Sequence, residues 1–326
     1  MIPIKSYKLD ILASNLKDVV KSYLNGNNNG CYSTKNKKEL LDAFTKYFSP
    51  EYTIDEILLA TPEKLEDIVK YYESNIKSTT GYNDEQFKSD FNYLIKKSSG
   101  IYSIFSSTNK LKYRDNSGYK VINAKFIIDE LDIKVCPYCN RNFIYSAGDR
   151  RICQFDHYYP KEHYPFLAIS FYNLIPSCAS CNFNKKSQKD KHYNPYNKKH
   201  DFDNIYFSIN QKKYLPFLKE EDIEIKLETK SNHEKIILQN HKEKIFLLDK
   251  LYERHRDYAL EILKKREIYS EDFINELIER FGHSGIFKNP LELLQLIFGN
   301  YIEENDFLKR PLSKFHHDII KELDFL

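Results

Sequence analysis

Two Cys-x-x-Cys pairs constrain this chain more than any other feature of its sequence. Cys136 and Cys139 form the first pair, and Cys178 and Cys181 form the second. Each pair can make a tight turn that offers two thiolates, and two such turns commonly hold a tetrahedral zinc ion. The sequence therefore predicts a structural four-cysteine zinc site that ties together two segments about forty residues apart.

A different chemistry lies between and just after these pairs. Asp156 and His157 are adjacent, Asn173 follows them, and Asn182 comes directly after the second pair. A carboxylate is a hard oxygen ligand for a cation such as Mg²⁺, and a histidine can act as a base near neutral pH. Asparagine can position a loop or supply a further oxygen ligand. The pattern indicates a second, catalytic centre beside the zinc site.

Taken in order, Cys-x-x-Cys, Asp-His, Asn and Cys-x-x-Cys-Asn-x-x-Lys resemble the HNH endonuclease motif. That family folds the motif as two short antiparallel strands and a helix around one catalytic metal, the ββα-metal arrangement. The resemblance implies that Asp156 binds a catalytic Mg²⁺ or Mn²⁺, that His157 is the general base, and that Asn173 holds the loop carrying the base. A position that is often histidine falls on Asn182, which leaves open whether Asn182 binds the cation directly or through water.

The local pattern predicts how the module is built. We expect a strand at 143–145, a turn at 147–149, and a strand at 152–155 that delivers Asp-His at its end. The second zinc turn should lie at the N-terminus of a helix, with Cys181 and Asn182 in its first turn. The apolar segment 164–173 should pack beneath the site.

Lys185, Lys186 and Lys189 follow Asn182 at spacings that place all four residues on one helical face. We predict that these lysines contact nucleic-acid phosphates, and the alternative is an ordinary solvated lysine-rich surface. Residues 134–213 contain thirteen Lys or Arg against six Asp or Glu, whereas the whole chain has a net charge of only +3. The positive charge is therefore concentrated on this module, as a polyanion-binding site requires.

At 326 residues the chain is long enough for two or three compact units. The predicted fold class is α+β, with mostly helical terminal regions flanking a central zinc-stapled ββα-metal module. We expect a helical N-terminal scaffold or interaction region at 1–95, the nuclease module with its four-cysteine site at 96–213, and a mainly helical C-terminal interaction region at 214–326.

Several short signals predict individual elements of the flanking regions. Thr61, Ser270 and Asn289 are expected to cap helices, the first and last with proline at the first helical position. Apolar residues at 205–209 and alternating residues at 223–227 predict two short strands.

A wider resemblance is carried by Tyr164-Pro165-Phe166-Leu167, Asn194-Pro195-Tyr196 and Gly299-Asn300-Tyr301. These phrases are similar to HNH effectors of bacterial antiphage systems, among which Septu nuclease subunits are the nearest. The resemblance implies a metal-dependent endonuclease that hydrolyses DNA in antiphage defence, with a regulatory ATPase as a partner protein. Two alternatives remain, a stand-alone restriction or homing-type nuclease and a non-catalytic zinc DNA-binding module.

The chain shows neither a signal-peptide pattern nor the ~18 consecutive apolar residues of a membrane span. We therefore expect a soluble cytoplasmic protein with no membrane partner. The two remaining cysteines, Cys31 and Cys153, are isolated in the sequence, and we expect both to be reduced structural thiols.

Overall fold

A computed structural model describes residues 1–25, 34–97, 100–107, 112–115, 118–148, 150–185, 190–200 and 202–324. Helices and two-stranded antiparallel hairpins make up this structure, so the predicted α+β class is confirmed. Buried apolar side chains from the N-terminal, central and C-terminal parts form one continuous core. No helix among the described residues combines the length and the apolar character that a membrane span needs.

The N-terminal part is helical, as the sequence predicts. Its helices are α1 (Leu9–Leu24), α2 (Thr34–Phe48), α3 (Ile54–Leu59), α4 (Pro62–Tyr71), α5 (Asp84–Asp90), α6 (Asn92–Ile95) and α7 (Ile101–Ser106). A π-helical turn, Tyr72–Ile76, continues α4. The Thr61 side chain accepts a hydrogen bond from the Lys64 backbone N–H, which satisfies a free donor at the start of α4. The predicted cap at Thr61 is confirmed.

These N-terminal helices support the central module from beneath. The Phe166 ring packs against four aromatic rings of the helical region, those of Phe48, Tyr72, Phe87 and Phe91. The Ser170 hydroxyl donates to the Ile57 backbone oxygen at 2.8 Å. Residues 164–173 are buried throughout, so the prediction for this apolar segment is confirmed.

The central part contains short hairpins and helices. Its elements are β1 (Lys112–Asp115), β2 (Gly118–Val121), α8 (Ala124–Leu131), β3 (Ser146–Ala147), β4 (Arg150–Arg151), β5 (Gln154–His157), β6 (Leu174–Ser177) and α9 (Ala179–Lys185). Strands β5 and β6 pair antiparallel, with Phe155 opposite Pro176 and Asp156 opposite Ile175. The helix α9 follows β6 after one residue, which gives two strands and a helix in succession.

Of the two strands predicted for this unit, the first is wrong, and the second is shifted by two residues but carries Asp156 and His157 at its end. Residues 143–145 do not form a strand, because only an isolated bridge joins Phe143 to Val135. The segment instead folds around the first zinc turn, where the Cys136 N–H donates to the Asn142 oxygen at 2.9 Å. Its predicted partner at 152–155 begins later, at Gln154, and pairs with β6. The helix after the second zinc turn is confirmed, with Cys181 and Asn182 in its first four residues.

The C-terminal part combines a hairpin with helices. Its elements are β7 (Ile205–Gln211), β8 (Ile223–Thr229), α10 (Lys235–Gln239), α11 (Leu248–Tyr252), α12 (Arg256–Ile268), α13 (Glu271–Phe281), α14 (Pro290–Phe298) and α15 (Ser313–Glu322). The predicted strands and the predicted caps at Ser270 and Asn289 are confirmed. Since β7 pairs with β8 along their full length, the proposed boundary at residue 213 falls inside one hairpin.

Residues 307–314 reach back to the first zinc turn. The Asn140 Nδ2 donates to the Phe307 oxygen at 2.7 Å, and Asn140 Oδ1 accepts from the Lys314 N–H at 3.1 Å. The Leu312 N–H also donates to the Asn140 backbone oxygen at 2.6 Å. The turn that carries Cys136 and Cys139 is therefore held by a segment near the far end of the sequence.

Candidate active site and zinc centre

The two Cys-x-x-Cys turns meet beside the β5–β6 hairpin. The Sγ atoms of Cys136, Cys139, Cys178 and Cys181 lie within 4.8 Å of one another, and all four residues are buried. In a tetrahedral site with zinc–sulfur bonds of about 2.3 Å, the sulfur atoms would be about 3.8 Å apart. Asn142 Nδ2 donates to Cys178 Sγ at 3.3 Å, an outer hydrogen bond of the kind that orients a metal ligand. This donor set fits a structural zinc ion.

Asp156 lies near the end of β5, where it is buried and lines an open cleft. The Tyr138 hydroxyl, from the first zinc turn, donates to Asp156 Oδ2 at 2.8 Å. Burial raises the pKa of Asp156, and the nearby Lys185 ammonium and the Tyr138 bond both oppose that rise. A carboxylate that loses hydration in this way is stabilised by a neighbouring cation. Asp156 is therefore suited to the predicted role of cation ligand.

His157, the last residue of β5, faces the same cleft. Its Nε2 lies 3.1 Å from the Ala168 backbone oxygen, which can only accept a hydrogen bond. The proton of the neutral ring is therefore on Nε2, and Nδ1 carries the lone pair. Burial lowers the pKa of His157 to about 3, and the positive charges of Lys161 and Lys185 add to that effect. The imidazole is therefore neutral at neutral pH, and its Nδ1 is unprotonated.

Asn173 does not face the cleft, because its side chain is fully buried in the loop that follows β5. Its Oδ1 accepts from the Tyr159 N–H at 2.7 Å, and its Nδ2 donates to the backbone oxygens of Tyr159 at 3.2 Å and Leu167 at 2.9 Å. These bonds tie both ends of the segment between His157 and Ala168. Asn173 thus holds the loop whose carbonyl orients the histidine ring.

Asn182 extends from α9 toward β5 and is half-buried. Its Nδ2 donates to Gln154 Oε1 at 2.6 Å, so the amide oxygen is the atom able to act as a ligand. Asp156, His157 and Asn182 all line one cleft of about 430 Å³. The structure therefore brings together the three side chains that the sequence assigns to the cation and the base.

Of the predicted lysine face, the structure describes Lys185, which is buried. Lys185 has no exposed surface, and its ammonium donates to the Tyr158 backbone oxygen at 3.0 Å. The prediction that Lys185 contacts a phosphate is therefore wrong here, since a fully buried side chain cannot reach a bound polyanion. The ammonium instead lies close enough to Asp156 to affect its pKa. Lys186 and Lys189 lie outside the described residues.

Three residues around the cleft were missed by the sequence analysis. The Tyr138 hydroxyl donates to Asp156, and the Lys161 Nζ lies 4.6 Å from the centre of the Tyr102 ring. Phe183 is 77% exposed and lines the same cleft as Asn182. Tyr138 stands between two zinc ligands, and Phe183 is an apolar residue beside a candidate cation ligand. These positions in the sequence could have indicated that Tyr138 and Phe183 lie near the site. Cys153 is buried and not part of a disulfide, whereas Cys31 lies outside the described residues.

Comparison with known proteins agrees with this geometry. The model of the HNH endonuclease family matches residues 136–188, which include both zinc turns, the Asp-His pair and α9. The chain contains an HNH endonuclease domain. The HNH domain thus coincides with the β5–β6–α9 unit and its zinc ligands.

One curated relative is the Septu protein PtuB of Bacillus thuringiensis, which is 29% identical over 84 residues. The aligned stretch is 26% of this chain and 32% of that protein, so the chain spans about a third of the relative's length. No solved structure matches the chain significantly.

Proposed function

We propose that the protein is a metal-dependent endonuclease that hydrolyses DNA phosphodiester bonds. The observation that carries this proposal is the convergence of Asp156, His157 and Asn182 on one open cleft within the HNH domain. Mg²⁺ or Mn²⁺, held by Asp156 and Asn182, would neutralise the charge that develops on the phosphate and on the departing 3′ oxygen.

The chain's own residues supply the proton transfer and its geometry. His157 Nδ1 takes a proton from the attacking water, while the Ala168 carbonyl keeps the ring oriented through Nε2. The water oxygen bonds to phosphorus as the bond to the 3′ oxygen breaks, and the departing 3′ oxygen takes a proton from solvent in the open cleft, which leaves a 5′-phosphate and a 3′-hydroxyl. Asn173 fixes the loop between the base and that carbonyl. Cys136, Cys139, Cys178 and Cys181 would hold a structural zinc ion that joins the first zinc turn to the start of α9 and has no role in proton transfer.

Cleavage of supercoiled plasmid tests the proposal. Wild type is expected to nick or linearise the plasmid with Mg²⁺ or Mn²⁺, and a chelator should stop it. His157→Ala should lower the rate by about 10²- to 10⁴-fold without loss of folding or DNA affinity, because it removes only general-base assistance. His283→Ala is the matched control, since His283 is exposed and lies outside the cleft lining.

Each of the other possible results would support a different function or refute one assignment. If wild type binds DNA but leaves it intact with every cation, the non-catalytic zinc module is correct. If wild type alone gives discrete fragments, the stand-alone restriction or homing-type nuclease is correct. If His157→Ala cuts at the wild-type rate, the assignment of the base is wrong.

We propose further that this nuclease acts in antiphage defence under the control of a separate regulatory ATPase. The similarity to a Septu protein supports this role. The C-terminal region also exposes large apolar side chains, namely Ile268, Ile286 and Leu296. Apolar anchors of this kind are typical of regulated protein interfaces.

Co-expression with an ATPase encoded beside the gene tests the partner. Ile268→Glu should abolish co-purification and leave plasmid cleavage by the isolated chain unchanged. Ile11→Glu, at an equally apolar exposed position of α1, should have no effect on association. If no ATPase co-purifies and the isolated chain protects cells, the partner proposal is wrong.

A further inference from the structure

The third residue of the first zinc turn reaches out of that turn into the candidate active site. Tyr138 is fully buried, and its hydroxyl donates to Asp156 Oδ2 at 2.8 Å. We propose that Tyr138 is a positioning residue, which fixes the Asp156 carboxylate in the orientation that the catalytic cation requires. The inference rests on the proposed function, because it concerns how the same cation site is built.

The Asp156 carboxylate has rotational freedom about its Cβ–Cγ bond unless a neighbouring group restrains it. A carboxylate that binds a cation through one oxygen loses affinity if it rotates freely about its Cβ–Cγ bond, because ordering it then costs entropy on binding. A hydrogen bond to Oδ2 restrains that rotation and so sets the direction of Oδ1. Outer hydrogen bonds of this kind orient metal ligands, and losing one typically weakens metal affinity or activity by about 10- to 100-fold.

Tyr138 can impose an orientation because it is itself held rigidly. Cys136 and Cys139, on either side of the Pro137-Tyr138 pair, belong to the four-cysteine cluster and would be fixed by a bound zinc ion. Its ring stacks on Phe246 with 4.6 Å between ring centres, and its backbone oxygen lies 3.2 Å from His241 Nε2. A supporting residue that is locked by packing and by its own hydrogen bonds is what a preorganised ligand needs.

The competing explanation is that the hydroxyl merely satisfies a buried polar group. Tyr252 provides the control for that explanation. It is also fully buried, and its hydroxyl donates to the Cys139 backbone oxygen of the same turn at 2.7 Å. Tyr252→Phe therefore removes a chemically identical hydroxyl that bonds to the same zinc turn, and it leaves the contact to Asp156 in place.

The experiment titrates Mn²⁺ into the zinc-loaded full-length protein by calorimetry or electron paramagnetic resonance. Wild type, Asp156→Ala, Tyr138→Phe and Tyr252→Phe are compared, with zinc content and melting temperature recorded for each. Tyr138→Phe should bind Mn²⁺ about 10- to 100-fold more weakly and keep its zinc. Its plasmid cleavage should need correspondingly more Mn²⁺ and recover in part when Mn²⁺ is raised. Tyr252→Phe should bind Mn²⁺ as wild type does.

Two outcomes overturn the inference while the proposed function stands. In the first, Tyr138→Phe binds Mn²⁺ as tightly as Tyr252→Phe does. In the second, Tyr138→Phe loses zinc, which would mean that the hydroxyl acts on the turn rather than on Asp156. If Asp156→Ala leaves the Mn²⁺ affinity unchanged, the cation site itself is wrong, and the proposed function fails together with the inference.

Discussion

Replacing Asn173 with aspartate tests how the loop around the candidate base is held. The change keeps the shape of the side chain and its Oδ1 acceptor, which receives the Tyr159 N–H. It replaces the donating amide nitrogen with a second oxygen that faces the backbone oxygens of Tyr159 and Leu167 at 3.2 and 2.9 Å. Two donated hydrogen bonds are lost inside a fully buried site, where water cannot replace them.

The magnitude follows from these contacts. Each lost bond costs about 1 kcal/mol net, and leaving buried oxygens unsatisfied adds about 2 kcal/mol, so the free energy of unfolding should fall by about 4 kcal/mol. For 326 residues the entropy of unfolding is about 0.7 kcal/mol per degree, so the melting temperature should fall by about 6 °C. Cleavage should fall even well below the melting temperature, because the loop sets the orientation of His157.

Scanning calorimetry and plasmid cleavage at 25 °C would measure both effects. Asn197→Asp is the matched control, because Asn197 Oδ1 accepts from the Lys199 N–H and a carboxylate keeps that bond. The control should melt within about 1 °C of wild type, as expected for a change of less than about 0.5 kcal/mol. If Asn173→Asp melts with the control and cleaves at the wild-type rate, Asn173 does not hold the loop as described.

Three further predictions follow from the same structure. Cys178→Ser should lose zinc and cooperative folding together, because a closed thiolate site contributes folding free energy directly, and elemental analysis that finds no zinc in folded wild type would refute the site. The free energy of unfolding, measured in urea, should fall as the pH drops from about 6.5 toward 5. Burial lowers the pKa of His316 to about 4 and that of His241 well below its usual value. Over this pH range the unfolded chain therefore binds protons that the folded chain does not. Each such histidine contributes a slope of about 1.4 kcal/mol per pH unit, and His316→Gln should remove one of them; an unchanged slope would contradict this. Phe183→Ala should weaken DNA binding several-fold, measured by anisotropy in a His157→Ala background, whereas Tyr214→Ala, at an equally exposed aromatic outside the cleft, should not.

The parts of the fold that the sequence predicted depend on local chemistry. A cap such as Thr61 acts on an N–H three residues away, and each Cys-x-x-Cys pair defines its own turn, so both can be recognised without knowing the rest of the chain. The same holds for the alternating strands of the β7–β8 hairpin, whose buried residues recur at every second position.

The parts that the sequence did not predict depend on distant contacts. The strand β6 is buried at all four positions and contains Pro176, so it lacks the alternation that identifies a half-exposed strand. The sequence predicted an exposed Lys185. Its ammonium is surrounded by the Tyr158 oxygen and Asp156 only in the folded chain, so no local pattern indicates that it is buried. The bond from Tyr138 to Asp156 likewise joins residues that are far apart in the chain, and no local pattern describes it.

The contacts from residues 307–314 to Asn140 have a consequence for how the protein is made. Every candidate catalytic and zinc-binding residue leaves the ribosome before residue 190, yet the first zinc turn gains the Phe307, Leu312 and Lys314 bonds only much later in synthesis. Domains generally fold as units during synthesis, the N-terminal ones first. A nascent or prematurely ended chain would therefore contain the whole HNH domain with one of its turns unsupported. Tyr138, which donates to Asp156, belongs to the same turn, so the support that reaches the zinc turn last also lies beneath a side chain that contacts the candidate site.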